Sequence, residues 1–368
     1  MTTIPLIDLS AQYARLQSEI DVAIQETITR TAFIGGESVA QFEEAFGTYL
    51  GTPQVVSCGN GTDALEIILQ TLGVGPGDEV LVPAMSWIST SEVVMTAGAT
   101  PVFVDVDPNT YTISSDDLRQ KITERSRAII PVHLYGHPAD MPTIMEIAQQ
   151  HELWVIEDCA QAHGATINDQ KVGTWGHAAG FSFFPSKNLG CYGDGGAMVF
   201  REAAHAEQAR TIAHHGQQTR HHHVLHGRNS RLDGLQAAVL LVKLPYLDHW
   251  LGEKQRAARQ YTQLLSKVEG IVCPSELPNY QHGWHLYVIR TPQRDSLQAV
   301  LRERGIQTGV HYPTALPFQE CYTNFGHSHA DFPVAAAYQS EVLSLPMFAE
   351  LTESQIAHVV QTITDFAS

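Results

Sequence analysis

The segment Val155-Ile-Glu-Asp-Cys-Ala-Gln-Ala-His-Gly164 joins an apolar run to two adjacent carboxylates. A short apolar run bounded by polar and small residues is typical of a buried strand. This strand ends at the two carboxylates, Glu157 and Asp158. A buried carboxylate is costly unless it pairs with a cation or accepts hydrogen bonds, so Asp158 needs a partner. A protonated pyridine nitrogen would serve, and a structural aspartate that caps the next turn is the alternative.

Around this segment, short β-branched runs alternate with helical patterns over residues 54–200. Such alternation predicts an α/β fold with a mostly parallel sheet and crossover helices. The spacing of Leu65, Ile68, Leu69 and Leu72 indicates a helix with one buried face. The predicted strands cover residues 54–58, 79–82, 102–105, 128–132, 153–157, 180–184 and 197–200.

Beyond residue 229 the pattern changes to a long helical stretch, in which Pro245 predicts a kink. The later segments predict a strand at 284–290 and a helix at 296–304 that ends at Gly305. Because 368 residues exceed the size of one hydrophobic core, we expect two domains. The predicted domains are 1–245, a large cofactor-binding domain, and 246–368, a small C-terminal domain.

Composition excludes several classes of protein. Hydrophobic residues make up 43% of the chain and charged residues 17%, unlike a disordered or coiled-coil protein. A net charge of −17 repels phosphate backbones, so we expect no nucleic-acid partner. Five cysteines without a C-x-x-C pair, no signal-peptide pattern and no run of 18 apolar residues predict a cytoplasmic protein without a membrane partner.

Two further segments carry groups suited to an anionic ligand. In Ser57-Cys-Gly-Asn-Gly-Thr-Asp-Ala-Leu65, a strand leads through a glycine-rich turn into a helix. A phosphate could rest on Gly61 and Thr62 at the helix N-terminus, and an ordinary helix cap is the alternative. In Gly227-Arg-Asn-Ser-Arg231, cationic and amide donors cluster within an acidic chain, as an anionic ligand requires.

Lys187 lies between an aromatic strand and a glycine-rich loop, in Phe181-Ser-Phe-Phe-Pro-Ser-Lys-Asn-Leu-Gly190. Poor solvation there would lower the pKa of its amine and free it to act as nucleophile and base. A solvated surface lysine is the alternative.

Together these motifs resemble the DegT/DnrJ/EryC1/StrS family of pyridoxal-phosphate-dependent sugar-nucleotide aminotransferases. The resemblance runs from Ile7-Asp-Leu to Leu343-Ser-Leu-Pro-Met. It implies an aspartate-aminotransferase-like fold, with a large, mostly parallel seven-stranded sheet domain and a smaller C-terminal α+β domain. It also implies a homodimer with active sites shared between subunits. The motifs that carry it are Gly59-Asn-Gly-Thr-Asp-Ala-Leu, Pro131-Val-His-Leu-Tyr-Gly, Glu157-Asp-Cys-Ala-Gln-Ala-His-Gly-Ala, Ser182-Phe-Phe-Pro-Ser-Lys-Asn-Leu-Gly, Asn229-Ser-Arg-Leu-Asp and Gly309-Val-His-Tyr-Pro.

The resemblance also assigns roles to individual residues. Lys187 matches the Schiff-base lysine and Asp158 the partner of the pyridine nitrogen. Trp87 matches the ring that stacks on the cofactor, and Gln161 the residue near its phenolic oxygen. The remaining expectations are a phosphate cradle of Gly61, Thr62 and Ser182, a phosphate donor from the neighbouring subunit at Asn229, and substrate contacts at His163, Arg228, His311 and Tyr312.

The implied reaction is ping-pong transamination of a nucleotide-linked keto sugar, with pyridoxal 5'-phosphate passing through its pyridoxamine form. We expect L-glutamate as the donor and a 3-keto sugar as the acceptor; a 4-keto sugar is the alternative. A dehydratase of the same fold would carry histidine in place of Lys187, and a noncatalytic regulator would lose Lys187 or Asp158. Six histidines at 214, 215, 221, 222, 223 and 226 suggest a metal module, but no Cys, Asp or Glu completes a set, so we expect no metal.

Overall fold

The computed structural model describes residues 3–368. Its strands, in chain order, are β1 Val55–Cys58, β2 Glu79–Pro83, β3 Thr100–Val104, β4 Ser126–Ile129, β5 Trp154–Asp158, β6 Thr166–Ile167, β7 Gln170–Lys171, β8 Ala178–Ser182, β9 Gly196–Phe200, β10 Gln217–Thr219, β11 His222–His223, β12 Tyr280–Gln281, β13 Tyr287–Arg290 and β14 Val342–Leu345.

The α-helices are α1 Leu9–Thr29, α2 Glu37–Leu50, α3 Gly61–Thr71, α4 Ser89–Thr96, α5 Ser115–Lys121, α6 Met141–Gln150, α7 Ala203–Ala213, α8 Gly234–Lys243, α9 Leu247–Leu265, α10 Arg294–Glu303, α11 Pro333–Glu341 and α12 Glu353–Ala367. Short 3-10 helices cover Leu134–Gly136, Leu244–Tyr246, Leu316–Phe318, Glu320–Phe325 and His329–Asp331.

A seven-stranded sheet forms the centre of the fold, in the order β1-β9-β8-β5-β4-β2-β3. Neighbouring strands pair in parallel except at β9, which runs antiparallel to both β1 and β8. The predicted mostly parallel, seven-stranded sheet is therefore confirmed, and each predicted strand overlaps an observed one. Six strands point the same way, so their carboxyl ends share one edge of the sheet.

Helices cover both faces of this sheet. On one face α3 buries Leu65, Ile68, Leu69 and Leu72, which is the stripe that the spacing predicts. On the other face Phe42 and Phe46 of α2 pack with Phe181 and Phe183. A parallel sheet needs both faces covered, since its strands are apolar on both sides.

The C-terminal part has an apolar core of its own. Helices α9, α10 and α12 pack against the antiparallel pair β13–β14, burying Tyr261, Tyr287, Leu297, Leu345 and Ile356 among others. The predicted strand and helix of this region appear as β13 and α10. Pro245 lies in the 3-10 helix that links α8 to α9, where a kink is predicted. Later side chains also join the core of the large sheet, among them Leu286, Ala315, Phe332 and Val342.

Within residues 3–368, no helix combines the length and the apolar character needed to cross a membrane.

Candidate active site

The candidate active site lies at the carboxyl edge of the large sheet. Asp158 is the last residue of β5 and Ser182 the last of β8. The glycine-rich turn before α3 follows β1, and Trp87 lies in the loop between β2 and α4. Ligands of open α/β sheets bind at this edge, so the fold gathers segments that are far apart in sequence.

Asp158 is a buried carboxylate that accepts two hydrogen bonds. Its side chain is 6% exposed. Oδ2 accepts a hydrogen bond from the Thr90 hydroxyl at 2.9 Å, and Oδ1 accepts one from the Ala160 N–H at 3.1 Å. Burial raises the pKa of Asp158, although these bonds and the positive charge of Lys187 oppose the rise. Within residues 3–368 its carboxylate forms no ion pair, so its stabilisation comes from these two hydrogen bonds and the charge of Lys187.

Lys187 occupies the loop that follows β8, and its backbone N–H donates to the Phe184 carbonyl at 2.8 Å. Burial lowers the pKa of its amine to about 8, against an ordinary value of 10.5, and the charge of Asp158 opposes this lowering. An amine with such a pKa is partly unprotonated near neutral pH, which a nucleophile or a general base requires.

The turn before α3 forms a cradle suited to an anion. The Asn60 side chain caps the helix by accepting from the Asp63 N–H at 2.8 Å, which leaves earlier N–H groups of the first turn free. The Thr62 hydroxyl lies 2.7 Å from the Ser89 hydroxyl. A Cβ atom on Gly61 would lie 2.8 Å from Cβ of Ser182, so only glycine allows this close approach.

Gln161 and Tyr312 connect the sheet edge to the C-terminal part. The Gln161 amide accepts from the Tyr135 N–H at 2.7 Å and donates to the Tyr312 hydroxyl at 3.0 Å. The Tyr312 ring lies 5.9 Å from the ring of Trp87, which is 59% exposed. An exposed indole at the rim of a polar site offers a free face to a flat ligand.

His311 is half-buried beside the same residues. Its Nδ1 lies 2.8 Å from the Ser344 hydroxyl, and the Tyr135 hydroxyl donates to its carbonyl. Burial and the charge of Lys187 lower the pKa of His311 to about 4, so the imidazole is neutral at pH 7.

Two of the predicted substrate contacts pack against other residues of the chain. His163 is 1% exposed and packs against Phe181 and Phe183, and burial lowers its pKa to about 3. The positive charge of Lys187 also lowers this pKa, so the imidazole lies near that amine. The Arg228 guanidinium pairs with Glu66 and lies 3.6 Å from Asp63, both on α3, so its charge is already compensated within the chain. Contact of His163 or Arg228 with a substrate stays a prediction.

Asn229 is exposed, and the chain at this point runs beside His214. The adjacent Ser230 hydroxyl accepts from the Gly59 N–H at 3.0 Å and donates to Asp63 at 2.6 Å. The segment therefore lies against the base of the phosphate-cradle turn in its own chain, while the Asn229 side chain faces outward.

The histidine segment forms the exposed hairpin β10–β11 and the turns around it. Across residues 3–368, potential ligand atoms of three or more His, Cys, Asp or Glu residues converge only at His133, Glu157 and Cys159. Hydrogen bonds already occupy two of these residues: His133 Nδ1 accepts from the Ala139 N–H, and its Nε2 lies 3.0 Å from Glu157. Glu157 also accepts three backbone N–H bonds from the 173–176 loop, so His133 and Glu157 form a structural network.

The sequence analysis missed several neighbours of the site. Thr90, which holds Asp158, could have been found from its place one helical turn after Trp87, on the helix at the sheet edge. Asn188 could have been found as the residue next to Lys187, whereas only the tertiary fold brings His285 and Lys254 near this lysine.

The residues present fit pyridoxal 5'-phosphate. Asp158 is a buried carboxylate that forms no ion pair within residues 3–368, Lys187 is an amine with a lowered pKa, and Gly61, which has no Cβ, lies directly against Ser182. Asp158 suits the ring nitrogen of the cofactor, Lys187 suits its aldehyde, and the turn at Gly61 suits its phosphate. The fold and the site therefore indicate a pyridoxal-phosphate-dependent transferase.

Sequence comparison gives the family. The DegT/DnrJ/EryC1/StrS aminotransferase family profile matches residues 14–364, and the chain belongs to this family. It is 45% identical to the "Pleiotropic regulatory protein" of Geobacillus stearothermophilus, over 99% of this chain and 98% of the relative. It is 43% identical to the UDP-N-acetyl-3-dehydro-alpha-D-glucosamine 3-aminotransferase of Acidithiobacillus ferrooxidans, over 98% and 97%.

Solved structures agree. The S. venezuelae DesV structure in complex with a ketimine intermediate superposes with a TM-score of 0.98 at 39% identity, covering 100% of this chain and 99% of that one. NtdA of Bacillus subtilis, with bound cofactor PMP, superposes with a TM-score of 0.90 at 30% identity, covering 99% and 85%. These findings confirm the predicted fold, the aminotransferase class and the pyridoxal-phosphate cofactor.

Proposed function

We propose that this chain transfers an amino group from L-glutamate to the C3 position of a nucleotide-linked 3-keto sugar. The observation that carries the proposal is the placement of Lys187 beside Asp158 at the carboxyl edge of the sheet, with an amine pKa of about 8. This amine can bind a carbonyl carbon and can also move a proton, which are the two tasks that transamination asks of one residue.

When bound, the cofactor would supply an electron sink for the donor carbon. Lys187 would hold the cofactor between turnovers and, once released, its amine would move the proton of the donor α-carbon. Asp158 would keep a proton on the ring nitrogen, and Thr90 keeps the carboxylate oriented through its 2.9 Å bond. Gly61, Thr62 and Ser182 would hold the phosphate, Trp87 would cover the ring, and Gln161 would serve its phenolic oxygen.

The nucleotide-sugar side involves His311 and Tyr312, which project from the C-terminal part toward the site. The 3-keto preference rests on relatives: the Acidithiobacillus protein is named for 3-amination of a UDP-linked 3-dehydro sugar. A Pseudomonas aeruginosa relative, 41% identical over 98% of this chain and 100% of its own length, is named for a UDP-linked 3-oxo-glucuronate. A 4-keto acceptor is the alternative that the test below separates.

A regulatory role is the second candidate, because the Geobacillus relative carries a regulatory name. A regulator that has lost catalysis would not need a depressed lysine pKa or a buried, unpaired aspartate. This chain has both, in Lys187 and Asp158, and that favours catalysis.

A homodimer with shared sites completes the proposal. The single chain exposes aromatic and aliphatic side chains, among them Phe33, Ile34, Trp87, Phe184 and Tyr192. A second subunit would cover them, and its Asn229, exposed in the single chain, would reach the cofactor phosphate. Residues 1–245 would form the large cofactor-binding domain and 246–368 the small one, supported by the separate core around α9. The five free cysteines are consistent with a cytoplasmic location.

The test uses the purified protein with pyridoxal phosphate, L-glutamate and matched 3-keto and 4-keto nucleotide sugars. We expect 2-oxoglutarate and a 3-amino sugar, identified by NMR, and no product from Lys187→Ala. Turnover confined to 4-keto sugars would refute the position of amination. Absence of a lysine-bound cofactor band in the wild-type protein would refute the enzymatic reading altogether.

A further inference from the structure

A second buried lysine lies directly behind the catalytic loop. Lys254, on α9, is 9% exposed, and its Nζ donates to Oδ1 of Asn188 at 2.7 Å. Asn188 is the residue after Lys187. Within residues 3–368, Oδ1 of Asn188 is the one hydrogen-bond acceptor of this ammonium group.

Asn188 also contacts the C-terminal part of the chain. Its Nδ2 donates to the Gly283 carbonyl at 2.6 Å, and the Gly283 N–H in turn donates to the Gly136 carbonyl at 2.8 Å. The Asn188 side chain is therefore held at both ends, by α9 and by the segment that leads into β13. A fixed Asn188 leaves the adjacent Lys187 backbone little freedom to rotate.

Burying an ammonium group with one hydrogen bond is costly, and a methionine would fill the same space more cheaply. The nearby negative charge belongs to Glu350, whose Oε1 accepts no hydrogen bond within residues 3–368 and lies 3.7 Å from Nε of Arg15. Burial lowers the pKa of Lys254 to about 8, and Glu350 opposes this. The Lys254 ammonium group is therefore buried with little compensation of its charge, and its hydrogen bond is to Asn188 in the catalytic loop.

We propose that Lys254 is a positioning residue for Lys187 and acts through the side chain of Asn188. This inference rests on the proposed function, because it concerns how accurately the Lys187 amine meets the donor carbon and the cofactor. A base displaced by about 1 Å loses on the order of 100-fold in rate. Loss of the Lys254 contact should therefore slow the chemical step and leave donor binding largely intact.

Lys243 provides a matched control. It is a fully buried lysine on α8, and its Nζ donates to the Gly190 carbonyl at 2.7 Å, in the same loop but three residues beyond Lys187. Burial lowers its pKa to about 8 as well. Lys254→Met and Lys243→Met each remove one buried ammonium group that donates a hydrogen bond to this loop. Only Lys254→Met removes the hydrogen bond to Asn188.

The experiment measures the half-reaction with L-glutamate in the loaded enzyme, the visible circular dichroism of the lysine-bound cofactor, and thermal melting. We expect Lys254→Met to lower the half-reaction rate constant by roughly 10- to 100-fold with little change in the apparent dissociation constant of L-glutamate, and to alter the circular dichroism. Lys243→Met should leave the rate constant and the spectrum near wild type. An unchanged rate constant in Lys254→Met, or an equal loss in Lys243→Met, would overturn the inference.

A double-mutant cycle with Asn188→Ala tests the route and guards against a folding defect in one variant. If Lys254 acts through Asn188, the double variant should be no slower than Asn188→Ala alone. Fully additive losses would overturn the proposal. A wild-type protein without a lysine-bound cofactor band would instead refute the proposed function, so the two failures are distinguishable.

Discussion

Asp158→Asn separates the catalytic from the structural role of the buried carboxylate. Asparagine has the same shape, its oxygen can still accept from the Ala160 N–H, and its amide can donate to the Thr90 hydroxyl, which also accepts. No polar group is left unpaired, and a buried charge disappears. We therefore expect the melting temperature of the cofactor-free protein to stay the same or rise.

Catalysis should fall because the amide cannot hold a proton on the ring nitrogen. A hydrogen bond to a charged group contributes about 1.5–3 kcal/mol, which corresponds to a roughly 10- to 150-fold loss in the rate of the glutamate half-reaction. A second readout follows from electrostatics. The negative charge of Asp158 raises the pKa of Lys187, so the variant should lower that pKa further below about 8.

Asp105→Asn is the matched control, since Asp105 is equally buried but accepts backbone N–H bonds from Val334 and Ala335. Its amide would leave one of these donors unpaired, at a cost of about 1–3 kcal/mol in the free energy of unfolding. The folded fraction should react at the wild-type rate, measured by stopped-flow absorbance. An Asp158→Asn enzyme that reacts as fast as wild type, or that loses stability as Asp105→Asn does, would refute this reasoning.

Three further predictions concern the lysine, the cradle and the structural glutamate. Acylation of Lys187 in the cofactor-free protein, followed by peptide mass spectrometry, should rise with a midpoint near pH 8, because burial disfavours the protonated amine; a midpoint near 10.5 would contradict its burial. Gly61→Ala should weaken cofactor affinity roughly tenfold in equilibrium dialysis, since its Cβ would lie 2.8 Å from Cβ of Ser182; equal affinity would show that the cradle lies elsewhere. Glu157→Gln should lower the free energy of unfolding by about 1–3 kcal/mol in urea, because three N–H groups point at its carboxylate; an unchanged midpoint would argue against that network.

The sequence predicts the sheet well because the pattern that marks each strand lies within a few neighbouring residues. Each strand is an apolar run between turn residues, and a parallel arrangement places the ends of β5 and β8 at one edge without further knowledge. Asp158 and Ser182 therefore come together from their position at strand ends alone. Lys187 follows because its loop directly continues β8.

Charge pairing and burial were not predictable in the same way. Arg228 meets Glu66, 162 residues away, and the His163 ring packs against Phe181. Neither partner is visible in the local pattern. Lys254 sits on a strongly amphipathic helix, where a lysine reads as a surface charge until the position of Asn188 is known.

The central claim is that Lys187 catalyses amino transfer to a nucleotide-linked 3-keto sugar. The most direct measurement is NMR of the sugar product after incubation of wild-type protein and Lys187→Ala with cofactor, L-glutamate and a UDP-linked 3-keto hexose. We predict an amino group at C3 with the wild-type protein and unchanged keto sugar with the variant. A product aminated equally by Lys187→Ala, or no amination by the wild type, would contradict the claim.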